Sequence, residues 1–311
     1  MPVPPAFAAV AARVNNWGRW GPEDELGTLN LVDDAARLRA VAAVRTGKAF
    51  ALGLPLSAAE GIQLGFIPGR VNPSLTMTSV NVPLSDDRDW ICSSEEKVEL
   101  STQCATHWDA VGHVSYGGRM YNGFPADAVT DAGGSRCAIS NVRTLVSRGV
   151  LLDVARARGV DLLDGNHLIT PAELDEALAL TGLELAPGDV VLVRTGQMAH
   201  LRPPRRDLVK YCIPMPGLTM ACAVWFHDRD VAAVATDTLA LEAVPGEDEE
   251  IYLPVHLLHL VEMGMTQGQN WDLDALAADC AADGVYEFLL DATPLPFTGA
   301  MGSPVNPVAV K

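Results

Sequence analysis

Two imidazoles and a carboxylate crowd one short stretch, His107, Asp109 and His113, within Ser101-Thr102-Gln103-Cys104-Ala105-Thr106-His107-Trp108-Asp109-Ala110-Val111-Gly112-His113-Val114. Imidazole nitrogens and carboxylate oxygens bind Zn2+ or Mn2+ at about 2.0–2.2 Å, and the same groups move protons near neutral pH. On an extended strand His107 and Asp109 point to one face with Cα atoms roughly 7 Å apart, so both can reach one ion. Gln103 shares their parity, yet a straight strand would leave it roughly 20 Å from Asp109. A helix would join Gln103 to His107 and turn Asp109 away. A single site therefore requires the backbone to bend near Ala105-Thr106 and again near Gly112. A half-buried strand with a His–Asp hydrogen bond and no metal fits the spacing at least as well.

A second cluster lies in Pro254-Val255-His256-Leu257-Leu258-His259-Leu260-Val261-Glu262. His256 and His259 are three apart on an expected helix and share a face. Either one is a hydrogen-bonded core histidine or it adds a ligand from a distant segment. The other histidines, His167, His200 and His227, stand alone and read as structural or surface residues.

The elements that must carry these groups alternate between strands and helices. Asp33 to Thr46 shows helical spacing and stops at Gly47. Residues 50–100 are short β-like runs broken by Pro and Gly. Gly149 to Val154, Val190 to Arg194, Val231 to Thr236 and Glu287 to Asp291 are apolar runs of strand length, with further strand candidates at the C-terminus. Thr170-Pro171-Ala172-Glu173 combines an N-cap hydroxyl, a proline at the first helical position and a glutamate that closes a capping box; the helix should run to Thr181-Gly182. The pattern predicts an α/β fold in a single domain over residues 1–311. Residues 1–30 form an N-terminal arm, read as irregular, whose Trp17 and Trp20 need a surface to bury against.

Composition removes several function classes. The chain has 311 residues, 49% hydrophobic and 20% charged, with 22 Lys and Arg against 39 Asp and Glu, a formal charge of −17. So acidic a surface disfavours nucleic acid and anionic membranes. No run approaches a membrane span, and the first residues lack the pattern of a signal peptide. Six scattered cysteines without a C-x-x-C fit reduced thiols, hence a cytoplasmic protein. G-x-S-x-G, the P-loop, G-x-G-x-x-G after a strand and H-E-x-x-H are all missing, which disfavours the common serine hydrolases, NTPases and dinucleotide enzymes.

At Gln103-Cys104-Ala105-Thr106-His107-Trp108-Asp109-Ala110-Val111-Gly112-His113 the sequence resembles the putative-cyclase family of metal-dependent hydrolases, which includes bacterial kynurenine formamidase and isatin hydrolase. Their signature is H-x-G-T-H-x-D-x-P-x-H. The resemblance continues through Trp17-Gly18, Asp24-Glu25-Leu26-Gly27-Thr28-Leu29-Asn30, Pro187-Gly188-Asp189, Arg194-Thr195-Gly196, Pro216-Gly217-Leu218 and Gly302-Ser303-Pro304-Val305-Asn306-Pro307, as in the longer-chain branch. It implies a mixed β-core flanked by helices, a homodimer or homotetramer with the arm near a subunit contact, and a small-molecule substrate. It also implies that His107 and Asp109 are metal ligands, that His113 is the acid/base and that His256 supplies a further imidazole. Gln103 stands where the family has a ligating histidine. Gln269, in Gly268-Gln269-Asn270-Trp271, stands where it has a bridging glutamate. A bridging carboxylate is what holds two dications about 3.5–4 Å apart, so these departures point to one Mn2+ or Zn2+ rather than two, held by His107, Asp109 and His256 with the Gln103 and Gln269 oxygens as weak ligands or outer partners, and leave loss of the metal open.

The expected activity is metal-assisted hydrolysis of an amide, lactam or lactone, with His113 moving the proton. Thr106 and Gln103 would orient the nucleophile, and Trp20, Trp108 and Phe66 would wall a flat apolar substrate. A polyketide-type cyclase or dehydratase using His113 and Asp109 without an obligatory metal, and a non-catalytic binding protein on the same scaffold, are the alternatives.

Overall fold

Apolar runs of five to eight residues, closed by polar turns, form the middle of the sheet because they can be buried on both faces. The computed structural model describes residues 3–88, 90–204, 206–248 and 250–311. Its main sheet has nine strands: β1 (Ala49–Ala51), β2 (His107–Asp109), β3 (Val146–Asp153), β4 (Val190–Arg194), β5 (Ala233–Thr236), β6 (Gln267–Gln269), β7 (Glu287–Asp291), β8 (Gly302–Pro304) and β9 (Val308–Val310). They lie in the order β1-β9-β7-β3-β4-β5-β6-β2-β8. From β3 to β6 neighbours are parallel. Both flanks are antiparallel: β7, β9 and β1 on one side, β2 and β8 on the other. The architecture is the expected α/β class, a mixed sheet flanked by helices.

Alternation along the central strands builds two cores. Val150, Leu152, Val191, Val193 and Val234 pack on one face, with residues of helices Pro171–Thr181 and Met220–His227. Leu151, Val190, Leu192, Ala233 and Ala235 pack on the other, with Leu276, Ala277 and Cys280 of helix Asp274–Asp283. The capping box at Thr170 and Glu173 forms, and the helix ends at Gly182 in the left-handed conformation. The helix expected over Asp33 to Thr46 is shorter than the spacing suggests, Asp34–Ala42, with Asp33 accepting from the Ala36 amide. No described helix is long and apolar enough to cross a membrane.

The N-terminal arm departs from the expected irregular path. Residues Pro5–Val14 form a helix entered through proline, which buries Phe7, Ala11 and Val14 in the first core. Trp17 then donates its Nε1–H to the Val261 carbonyl at 2.7 Å. The arm thus packs on its own chain. Residues 50–100 are dominated by a hairpin, Ser74–Pro83 with Cys92–Glu99, whose residues are largely exposed.

Candidate functional site

The three residues of β2 are held between β6 and β8, with Gln269 opposite His107 and Gln267 opposite Asp109. Strand alternation sends Trp108 into the second core and turns His107 and Asp109 to the face where His256 lies. The chain bends out of the strand at both ends. Cys104 closes a turn onto Ser101, and His113 is folded back by its amide bond to the Ala110 carbonyl. These bends bring the predicted residues together around one carboxylate. His107 Nε2 lies 3.5 Å and His113 Nε2 3.7 Å from Asp109 Oδ1, while His256 Nε2 lies 3.9 Å from Oδ2. Gln269 donates Nε2–H to Oδ2 at 2.8 Å.

Hydrogen bonds at the other ring nitrogens assign the protons. His107 Nδ1 donates to the Ala105 carbonyl at 2.7 Å, and His256 Nδ1 donates to Glu242 Oε1 at 2.5 Å. Both therefore present a bare Nε2 to Asp109, the orientation that outer partners impose on metal-binding histidines. His113 is the opposite case. Its Nδ1 accepts from Gln103 Nε2 at 3.3 Å, which leaves the proton on Nε2. Gln103 is anchored in turn by the Thr102 hydroxyl and the Met301 carbonyl.

Two bare imidazole nitrogens facing an acceptor-only carboxylate call for a cation or protons between them. Asp109 Oδ1 is buried and has no hydrogen-bond partner, and His259 Nε2, Gln267 Nε2 and Thr266 Oγ1 are in the same position nearby. Groups of this kind are rarely left orphaned in native proteins. Among the described residues, no set of three or more His, Cys, Asp and Glu side chains is arranged to hold an ion as it stands. Ligand atoms on a tetrahedral ion with bonds of about 2.1 Å sit about 3.4 Å apart. The separations of 3.5–3.9 Å here are therefore slightly too wide for a closed cage. The donor chemistry fits a divalent ion, with His107, Asp109 and His256 as the residues that could hold it.

Electrostatics at the cluster follow from burial and mutual contact. Burial opposes the Asp109 charge, but His113, His107 and His256 outweigh it and hold the carboxyl well below its usual range. Burial lowers His113 against the pull of Asp109. Burial also opposes a charged His256, yet Glu242 prevails and raises it. Buried His259 is pushed down to about 3 by desolvation and by His256.

Backbone irregularity is concentrated at the same place. Leu241, Leu253 and Asn270 have φ of 62°, 55° and 62°, a left-handed conformation that is unusual for a branched side chain such as leucine. They adjoin Glu242, the helix carrying His256, and Gln269. Past His256 that helix is wound as a π-helix over Leu257–Met263, a form often found at functional sites.

A family model described as putative cyclase matches residues 50–243. A crystal structure described as a novel cyclase is 37% identical, covers 97% of this chain and 99% of its own, and superposes with a TM-score of 0.87. The chain belongs to the putative cyclase family. Isatin hydrolase A from Labrenzia aggregata, bound to benzyl benzoate, shares the fold at 19% identity and a TM-score of 0.62, over 87% of this chain and 94% of that one. Isatin hydrolase A from Ralstonia solanacearum does so at 18% and 0.61, over 84% and 91%. No curated protein matches by sequence.

Against this cyclase-family framework, the remaining expected residues separate. Thr106 is buried, donates to the Asn270 carbonyl at 2.5 Å and accepts from the Leu54 amide, so it ties two loops together behind the site. Trp108 is fully buried edge-to-face against Trp271 and donates to the Ala292 carbonyl, which leaves it no face for a substrate. Trp20 lies under the Arg19 guanidinium, and Phe66 is exposed on the loop before the hairpin; no described contact joins either to Asp109. Sequence reasoning missed Glu242, which accepts from the Val255 and His256 amides as well as from the His256 ring. A carboxylate inside the apolar run Leu239 to Val244 was the available signal.

Proposed function

We propose that the protein is a metal-assisted hydrolase that opens an amide, lactam or lactone, with one Mn2+ or Zn2+ held by His107, Asp109 and His256. The observation that carries this reading is the convergence of two bare imidazole nitrogens on a buried carboxylate whose Oδ1 lacks a partner. An ion held there supplies Lewis-acid polarisation of a carbonyl and acidification of water. His113 moves the proton at Nε2. A glutamine amide offers a donor and an acceptor, so with its oxygen turned to Nδ1–H it leaves Nε2 bare; Nε2 then takes a proton from water, and the imidazolium so formed returns it to the departing nitrogen or oxygen. Gln269 steadies Asp109, and Glu242 orients His256.

Two structures that share the fold carry the name isatin hydrolase, and that name is in keeping with a hydrolase reading here. An activity screen of N-formyl amides, isatin-like lactams and lactones, with and without added Mn2+, tests the reading. Turnover that needs the metal and disappears in His113→Ala at unchanged metal content supports it. Activity of that variant within a few-fold of wild type removes His113 from the role.

Gln103 and Gln269, neutral residues at two family ligand positions, favour a second reading: a cyclase or dehydratase that handles protons with His113 and Asp109. Metal-independent turnover would select it. The exposed two-stranded hairpin, marginal as an isolated unit, supports a homodimer or homotetramer in which a second copy covers it. All six cysteines are unpaired, which supports a reducing, cytoplasmic setting.

A further inference from the structure

Arg70 ends the turn Ile67-Pro68-Gly69-Arg70, its amide bonded to the Ile67 carbonyl at 3.1 Å, just ahead of the hairpin. The next amide, Val71 N–H, donates to Ser101 Oγ at 2.9 Å, which sets this turn against the segment leading into Gln103, and Arg70 is half-buried there. Ion pairs elsewhere occupy most arginines of this acidic chain, among them Arg136, Arg148, Arg194 and Arg202. Among the described residues Arg70 takes part in no side-chain hydrogen bond and no ion pair. Other arginines without a carboxylate partner, Arg119, Arg143 and Arg206, are exposed to water. A half-buried guanidinium with no protein partner is free to meet an anion without first breaking an ion pair. Asp109 does not serve, because its oxygens face Gln269 and the imidazoles.

We propose that Arg70 is a specificity residue that receives a carboxylate carried by the substrate, so that the enzyme selects anionic carbonyl compounds over neutral analogues. This rests on the hydrolase reading for the position of the reacting carbonyl, but not for the anion site itself. The planar guanidinium fork matches a carboxylate with two parallel N–H···O bonds, which lysine cannot reproduce. Its local positive charge also explains how a chain of net charge −17 can attract an anion. The group left unpaired in the resting protein is satisfied on binding, so a neutral isostere loses that contact and leaves Arg70 unpaired.

Two measurements test the assignment. Calorimetric titration of benzoate and benzamide into the purified protein should show benzoate binding about tenfold or more tightly. Arg70→Gln should equalise the two, and Arg70→Lys should keep part of the difference. Equal affinity in the wild type, no binding of either probe, or a benzoate preference that survives Arg70→Gln overturns the proposal; the last result places the anion elsewhere. The second measurement compares N-formylanthranilate with its methyl ester as substrates. The acid-over-ester ratio of kcat/KM should fall at least about tenfold in Arg70→Gln. A drop of equal size for both substrates contradicts it, since Arg70 would then act on the reacting carbonyl. Benzoate selectivity without turnover of either substrate keeps the anion site and removes the hydrolase reading, so the two failures are distinguishable.

Discussion

The centre of the sheet and its β6-β2-β8 flank solve different problems. β3, β4 and β5 are four to eight residues long and filled with Val, Leu and Ala that pack on both faces. β6, β2 and β8 have three residues each, and they carry Gln, His, Asp and Ser in a buried setting. The centre is stabilised chiefly by apolar burial, and its few buried polar side chains, Ser147, Asp153 and Thr236, stand near strand ends with hydrogen-bond partners. The flank is held by its neighbours and by side-chain bonds to backbone, such as Thr106 to Asn270, and so can keep polar groups incompletely satisfied. The lesson is a division of labour in which the rigid middle stabilises the fold and the short flank presents chemistry.

Substitutions should separate the two regions. Asp109→Asn, nearly isosteric, should cut kcat/KM by about a thousandfold or more, about 4 kcal/mol in transition-state terms, while the thermal midpoint changes little. A comparable loss of folding stability would break the contrast. Leu192→Ala, in the fully buried centre, should do the reverse and cost about 2–5 kcal/mol in denaturant unfolding, with the folded fraction still active. Glu242→Gln keeps the shape but weakens the bond that orients His256, so metal affinity measured by competition with a chelator should fall about 10- to 100-fold. Thr170→Ala, at the capping box far from the flank, should cost about 1 kcal/mol of stability and leave kinetics alone.

Much of the centre was legible. The apolar runs at 149–154, 190–194 and 287–291 match β3, β4 and β7 within a few residues, because burial on both faces writes itself as composition. Helix Pro5–Val14 was not read, since Pro4-Pro5 and the alanines hide the spacing of Phe7, Ala11 and Val14. At the flank, period-two alternation correctly put His107 with Asp109 on one face. The same alternation sends Trp108 away from them, an implication the sequence already contained. Glu242 left one local signal, a carboxylate in an apolar run, and Arg70 left none. Their relation to the site runs through loops that return to β2 from 133 and 39 positions away, and no local periodicity records such a return.

The central claim is that the flank binds a divalent ion through His107, Asp109 and His256. Its most direct test is calorimetric titration of Mn2+ and Zn2+ into chelator-treated protein, repeated with Asp109→Asn. The account predicts one ion per chain in the wild type and none in the variant. Absence of binding in the wild type, or binding that Asp109→Asn leaves intact, would contradict it.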